Sequence, residues 1–280
     1  MAILNFIPEI WAAQLQSSLK KSLVYAGLCN RQYEGEIRNA GDTVRITSIS
    51  RPTVGTYVRN TTAITPENLT DAARSLVIDQ SKYFAFEVDD LDKRQAANGG
   101  ALLSEAAQEA AYALADTADQ YVAGLFGDLD TDNEIGTVAI TTSALAVDGL
   151  ADLMVKLDEK NVPRGARWVV VPPWYHGLLV QSTSFLSLAD SGSTEALRNG
   201  QVGRAFGFDI IVSNNVVNTT GDDWRVVAGY SGAITYAEQI ASVEPYRPES
   251  AFSDAIKGLH LYGAKITRPE GLASLVASIT

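Results

Sequence analysis

A chain of 280 residues with 46% apolar side chains can bury a sizeable core in one large domain or two smaller ones, which excludes wholesale disorder. Its 33 acidic residues outnumber 22 basic ones, and the resulting net charge of −11 repels phosphate backbones, which argues against a sequence-reading nucleic-acid binder. No run of about 18 apolar residues is available to span a bilayer, so no membrane partner is expected. The opening MAILNFIPEIWAAQ lacks the basic start and continuous apolar core of a secretory signal. The Asn-x-Thr matches at Asn60, Asn68 and Asn218 are therefore read as chance. The single cysteine, Cys29, rules out an internal disulfide and fits a reducing cytoplasm.

Residues 7–26 predict an amphipathic helix, with Pro8 in the first turn and Gly27 as the stop. Trp11, Leu15, Leu19 and Leu23 follow in steps of four, a slanting stripe suited to lying across a neighbouring surface. This reads as an N-terminal arm. From Gly41 the pattern changes to that of a strand, with Val44 and Ile46 alternating with polar residues and Ile49 one step out of phase. Residues 50–72 are too polar for a core and too rich in β-branched side chains for a floppy linker; Tyr57 and Val58 are the few apolar features. Strand signals resume at 76–79, and Phe84, Phe86 and Val88 alternate after them. The simplest arrangement is a long two-stranded hairpin that leaves the body and returns. Isolated hairpins are marginally stable, so this one needs another protein surface to lie on.

The longest helix is predicted over 101–126, between Gly99-Gly100 and Gly127-Asp128. Leu103, Ala107, Ala110, Leu114, Ala118, Tyr121 and Leu125 draw its apolar stripe, with Glu105, Glu109, Asp116 and Asp119 away from it. At ~1.5 Å per residue it spans roughly 39 Å. A stripe this rich in alanine lets a sheet approach the axis closely. Beyond it come a short strand (138–140), a helix (147–161) carrying Leu150, Leu153, Met154 and Leu157, a buried strand (168–171) and a short helix (174–181). A polar excursion covers 185–199, and strands follow at 208–212, 224–228, 242–246 and 258–267.

No catalytic constellation emerges, and no cofactor is expected. His176 and His260 lack a second His or Cys at ligand spacing, and Cys29 has no histidine close in sequence. Asp128, Asp130 and Asp132 imitate half a calcium loop, but Asn133 stands where glycine is required and Ala139 where the bidentate glutamate belongs. They read as a polar loop capping the long helix. Residues 203–207 (GRAFG) lack the lysine of a phosphate loop and read as a tight turn before a strand. The acid pairs Asp89-Asp90 and Asp222-Asp223 point to opposite faces in strand geometry and cannot share a substrate.

The order of these parts resembles the major capsid proteins of tailed bacteriophages, whose α+β Hong Kong 97-type fold is shared with encapsulin nanocompartments. The resemblance rests on the arm, the GDTV-led hairpin, the return DQSKYFAFEVDDLDKRQ, the long helix, VPRGARWVVVPP (162–173), GRAFGFDIIVSNNV (203–216) and DAIKGLHLYGAKITRPEGL (254–272). It implies a non-catalytic shell tile, assembled with copies of itself into hexamers and pentamers of an icosahedral container for phage DNA. It further implies an arm (1–27), a peripheral domain (28–43, 88–142 and 242–280) with the long helix as spine, an extended loop (44–87) and an axial domain (143–241). Trp11, Arg51, Tyr57, Arg59 and Lys82 are the expected subunit-interface residues. The chain enters the arm directly, so a separate scaffolding protein or a cleaved segment is expected. A portal protein and a cement or decoration protein complete the implied partners, with assembly in the host bacterial cytoplasm and residence in the virion. Some relatives cross-link a loop lysine to a distant asparagine. Residues 44–81 hold no lysine and the return strand only Lys82, so non-covalent stabilisation is expected, with Arg51 and Arg59 ion-paired to neighbouring acids. Two other readings stand beside this one: an encapsulin-like compartment for protein cargo, and a mixed α/β enzyme using scattered carboxylates.

Overall fold

The computed structural model describes residues 24–33, 43–49, 52–60, 68, 71–89, 101–182, 203–249 and 252–280. The expected arm helix up to residue 23, with Trp11, lies outside the described residues, as do Arg51 and the excursion over 185–199. In chain order the first half contains α1 (Tyr25–Leu28), β1 (Thr43–Ile49), β2 (Asp71–Val77), β3 (Gln80–Asp89), the spine helix α2 (Ala101–Ala123), β4 (Glu134–Ala139) and α3 (Ser143–Glu159). The second half contains β5 (Arg167–Val171), α4 (Pro173–Gln181), β6 (Arg204–Ala205), β7 (Phe208–Val212), β8 (Asn218–Thr220), β9 (Asp223–Tyr230), β10 (Ile234–Tyr246), β11 (Ser253–Ile266) and β12 (Leu272–Ser278).

One sheet has the antiparallel order β10-β11-β3. Alternation along β11 sends Ile256, Tyr262, Ala264 and Ile266 into the core built on the spine helix. Leu259 and Leu261 face the other way, against Val44, Leu76 and Ile78 at the base of the β1–β2 hairpin. The hairpin exits so close to β11 that a Cβ at Gly263 would collide with the Val77 carbonyl, which explains the glycine there. Opposite Phe84, Gly258 leaves the space its ring fills. Residues 80–87, expected in the extended loop, instead belong to this sheet: β3 pairs with β11 over its whole length because Phe84 and Phe86 pack on the spine core. The projecting part is therefore β1, β2 and residues 52–60 between them.

The spine helix ends at Ala123, three residues before the expected stop, and its buried face differs from the expected stripe. Ala107, Ala111, Leu114, Ala115, Ala118, Val122 and Ala123 are buried, whereas Ala110 is half-exposed. Asp119, expected on the solvent side, is only 2% exposed. The reason is that this helix is packed from more than one direction. Its core cluster takes in Tyr236 and Tyr262 from the first sheet, Val170, Val227 and Leu272 from the second, and Tyr25 and Ala26 from α1. Glu109 is exposed, as expected, but Asp116 is half-buried and accepts a hydrogen bond from Asn215 Nδ2 at 2.8 Å.

The second sheet runs β4-β12-β9-β5-β7-β6, with β8 on β9. One face is covered by α3 and α4 through Leu150, Leu153, Leu157, Tyr175 and Leu179. Thr142 caps α3 by accepting from the Leu145 N–H, which starts the helix four residues before the sequence pattern suggested. Asn161, with φ of 57°, turns the chain away after it. Residues 203–207 form the expected turn: Phe206 and Gly207, with φ of 51° and 80°, connect β6 to β7 in a two-residue hairpin loop. Strands β4 and β12, which the resemblance assigns to the peripheral domain, both lie in the second sheet, with β12 between β4 and β9. Its sequence LASLVAS is buried on both faces, which suits an interior strand better than an edge.

At the seam between β10, β11 and the root segment (residues 24–33, including α1) lies a buried polar cluster. Glu238 Oε1 accepts from Arg31 Nη1 at 3.0 Å, while its Oε2 accepts from Tyr236 Oη at 2.9 Å and lies 3.4 Å from His260 Nε2. Burial pushes the Glu238 carboxyl up, but His260, Arg31 and Tyr236 together outweigh it and hold it below the usual glutamate range. A depressed folded-state value contributes stability above the unfolded value and loses it as pH falls through the folded one. Chemical denaturation should therefore show wild-type stability dropping on acidification below about pH 4.5, and Glu238→Gln should flatten that drop. An unchanged pH profile in the variant would contradict the assignment. In the same assay at neutral pH, Ala118→Leu should cost roughly 1–3 kcal/mol by overpacking the spine. Ala110→Leu, at a half-exposed site, should cost clearly less.

Candidate functional site

Reactive side chains in this fold are engaged structurally. Among the described residues no group of three or more His, Cys, Asp or Glu side chains converges as metal ligands. Asp130 and Asp132 both bind Lys160 Nζ, at 2.9 and 3.1 Å, and Asp128 pairs with Lys265. The hydrogen bond from Lys160 holds Asp130 below the usual carboxylate range, and that from Lys265 does the same for Asp128. The cluster that imitates a calcium loop thus joins the end of the spine to α3 and β11. Cys29 is buried, its Sγ lies 3.1 Å from the Tyr25 carbonyl, and burial pushes its thiol up to about 12. A thiol so protonated is no nucleophile at neutral pH. His176 is held below its ordinary value by burial on α4, while His260 is buried beside Glu238.

The surface, in contrast, carries apolar groups in specific places. Between β1 and β2, residues 52–60 are exposed, with Val54 at 94% and Tyr57 at 65%. Arg59 stands in the same exposed stretch, followed by Asn60 with φ of 64°, a left-handed turn residue. Tyr57 and Arg59 therefore share one projecting element, whereas Lys82 is half-buried on β3, opposite His260. Further exposed aromatics were missed in the sequence reading: Tyr83 on β3, Tyr112 on the spine helix and Phe252 between β10 and β11. Tyr83 was detectable, because Phe84 and Phe86 pointing inward force the odd-numbered neighbours outward. Scattered exposed apolar residues are ordinary; Val54 and Tyr57 stand close together on the projecting hairpin.

Asp119 fixes where the root of the N-terminal segment leaves the body. Its Oδ1 accepts the Val24 and Tyr25 N–H groups at 2.9 and 2.6 Å, and its Oδ2 accepts Asn215 Nδ2 at 2.9 Å. The otherwise orphan donors at the start of α1 are thus satisfied by a carboxylate from the spine helix, with favourable charge at a helix N-terminus. Burial raises the Asp119 carboxyl, against the opposing hydrogen bonds from Asn215, Tyr25 and Val24. No sequence signal announced this arrangement, since Asp119 reads as one more acid on a helix.

Among the described residues no helix is long and apolar enough to cross a membrane. The family model described as phage capsid protein matches residues 73–275. A solved structure from Mycobacterium phage Che8 is similar at 34% identity and TM-score 0.74, covering 90% of both chains. The capsid structure of cyanophage P-SCSP1u is similar at TM-score 0.74 and 17% identity, covering 92% of this chain and 89% of that one. The holo-SrpI encapsulin complex from Synechococcus elongatus PCC 7942 shares the fold at TM-score 0.57 and 10% identity, over 87% and 85% of the two chains. No curated protein matches. The chain belongs to the phage capsid protein family: it is a major capsid protein of Hong Kong 97-type fold, a structural subunit of a self-assembled shell rather than an enzyme.

Proposed function

We propose that this subunit forms hexamers and pentamers that close into an icosahedral shell enclosing double-stranded DNA. The observation that carries the reading is the β1–β2 hairpin, which projects large exposed side chains, Val54 and Tyr57 among them, from a family member built to assemble. In this reading the excursion between the strands, with Arg51, Tyr57 and Arg59, lies on a neighbouring subunit, and Trp11 on the arm and Lys82 on the edge strand β3 add contacts. The spine helix with β3, β10 and β11 serves as the peripheral unit, and the sheet containing β5, β9 and β12 as the axial unit. The net charge of −11 supports a container that holds DNA without binding it tightly. A scaffolding protein, a portal and a decoration protein are its partners, assembly takes place in the host cytoplasm, and contacts between subunits are non-covalent. Identity of 34% to a phage relative, against 10% to an encapsulin, favours DNA over protein cargo.

Negative-stain microscopy of the purified chain tests the assembly. Closed shells, or hexameric and pentameric rings, are expected; a uniform small particle at assembly concentrations contradicts the proposal. Boiled particles on a denaturing gel should run as one band near 30.0 kDa. A ladder of subunit multiples would contradict non-covalent stabilisation. Nuclease-protected DNA inside particles from infected cells is expected, and a protein filling in its place would favour the compartment reading.

A further inference from the structure

A cleft of about 1170 Å³ opens where the root segment, the hairpin base, the end of α3 and the link between β11 and β12 meet. Arg31, Arg74, Lys160 and Arg268 line it together with one carboxylate, Glu270. In a chain of net charge −11 this is an unusual concentration of cations. Two of them are neutralised from outside the lining, Arg31 by Glu238 and Lys160 by Asp130 and Asp132. The other two make no ion pair with a carboxylate among the described residues; Asp128, which interacts electrostatically with Arg74, is itself paired with Lys265. Arg74 Nη1 donates to the Ile266 carbonyl at 3.1 Å, and Arg268 Nη1 donates to Tyr230 Oη at 2.8 Å. Each guanidinium has five donors, and the bond named engages one of them.

The site is built in advance. The Tyr230 ring fills the space that a Cβ at Gly232 or at Gly271 would need, with approaches of 2.7 Å at both. Clamped there, its hydroxyl positions Arg268. Two guanidiniums held over a polar cleft match carboxylates, which accept bidentate hydrogen bonds. A polyphosphate chain is a poorer fit, because its binding needs several uncompensated cations and this cleft offers two beside Glu270.

We propose that this cleft receives an acidic segment of a second copy of the chain, making an electrostatic contact distinct from the projecting hairpin. The inference rests on the shell-subunit reading and adds a specific docking site to it. An acidic surface meeting its own copies repels unless cations are placed to receive it, and Arg74 with Arg268 are so placed.

The test is the double variant Arg74→Glu/Arg268→Glu, compared with the wild type by sedimentation and circular-dichroism melting. A folded variant whose particle yield falls at least tenfold is expected. Equal yields of shells from both proteins overturn the inference. To keep it testable should the variant fail to fold, fluorescein-labelled hexaglutamate is titrated into unassembled wild-type chain and followed by anisotropy. Saturable binding that is lost in high salt is expected, and absence of binding overturns the proposal. Displacement of that peptide by oligothymidine as readily as by unlabelled hexaglutamate also overturns it, in favour of a phosphate site. Peptide binding by a wild-type chain that forms no shells supports the cleft while refuting the shell reading.

Discussion

Close approach to one helix organises this subunit. Ala111, Ala115 and Ala118 are essentially fully buried, so both sheets and the root of the N-terminal segment come within contact of the same spine. Side chains of that size give up little conformational entropy on burial and leave the axis accessible. What they cannot supply is direction. Asp119 supplies it, because one carboxylate binds two backbone N–H groups of the root and an amide from the loop after β7. A buried charge is tolerable only when so many donors meet it, which makes this junction specific as well as close.

The route of the chain follows from the same economy of space. From β11 it crosses a single 3₁₀ turn, Pro269–Gly271, and becomes an interior strand of the second sheet. Gly229 lets Leu272 lie directly against β9, and the Asn133 amide donates to the carbonyls of Glu270 and Leu272 on either side of the crossing. The two sheets are therefore not beads on a string. They share a core through the spine and are joined by the short crossing from β11 to β12, which gives the projecting hairpin a stiff mount. Val44, Leu76 and Ile78 seat that mount on Leu261 and Ala237.

Much of this was legible in the residues. The spine helix, the strand 208–212, the turn at Phe206-Gly207 and the alternation of Phe84 and Phe86 are local patterns, and the chain obeys them. The resemblance drawn from the order of these parts identified the family. Three features were hidden because they depend on partners distant in sequence. Asp119 is an ordinary helical acid until Tyr25 and Asn215 are folded against it. Ala110 and Ala111 are equivalent by composition, and only packing from several sides decides which is buried. The short run LASLVAS gives no hint that it pairs with β9, some 50 residues earlier, rather than with the sheet it directly follows. Of the residues expected at the subunit interface, Tyr57 and Arg59 share the exposed stretch 52–60 and Lys82 lies on β3.

In the proposed shell the exposed side chains of the hairpin are buried by neighbouring copies. Electron cryomicroscopy of assembled particles, at a resolution that shows side chains, should show Val54 and Tyr57 covered by an adjacent copy. Closed shells in which residues 52–60 remain in solvent would contradict the proposal.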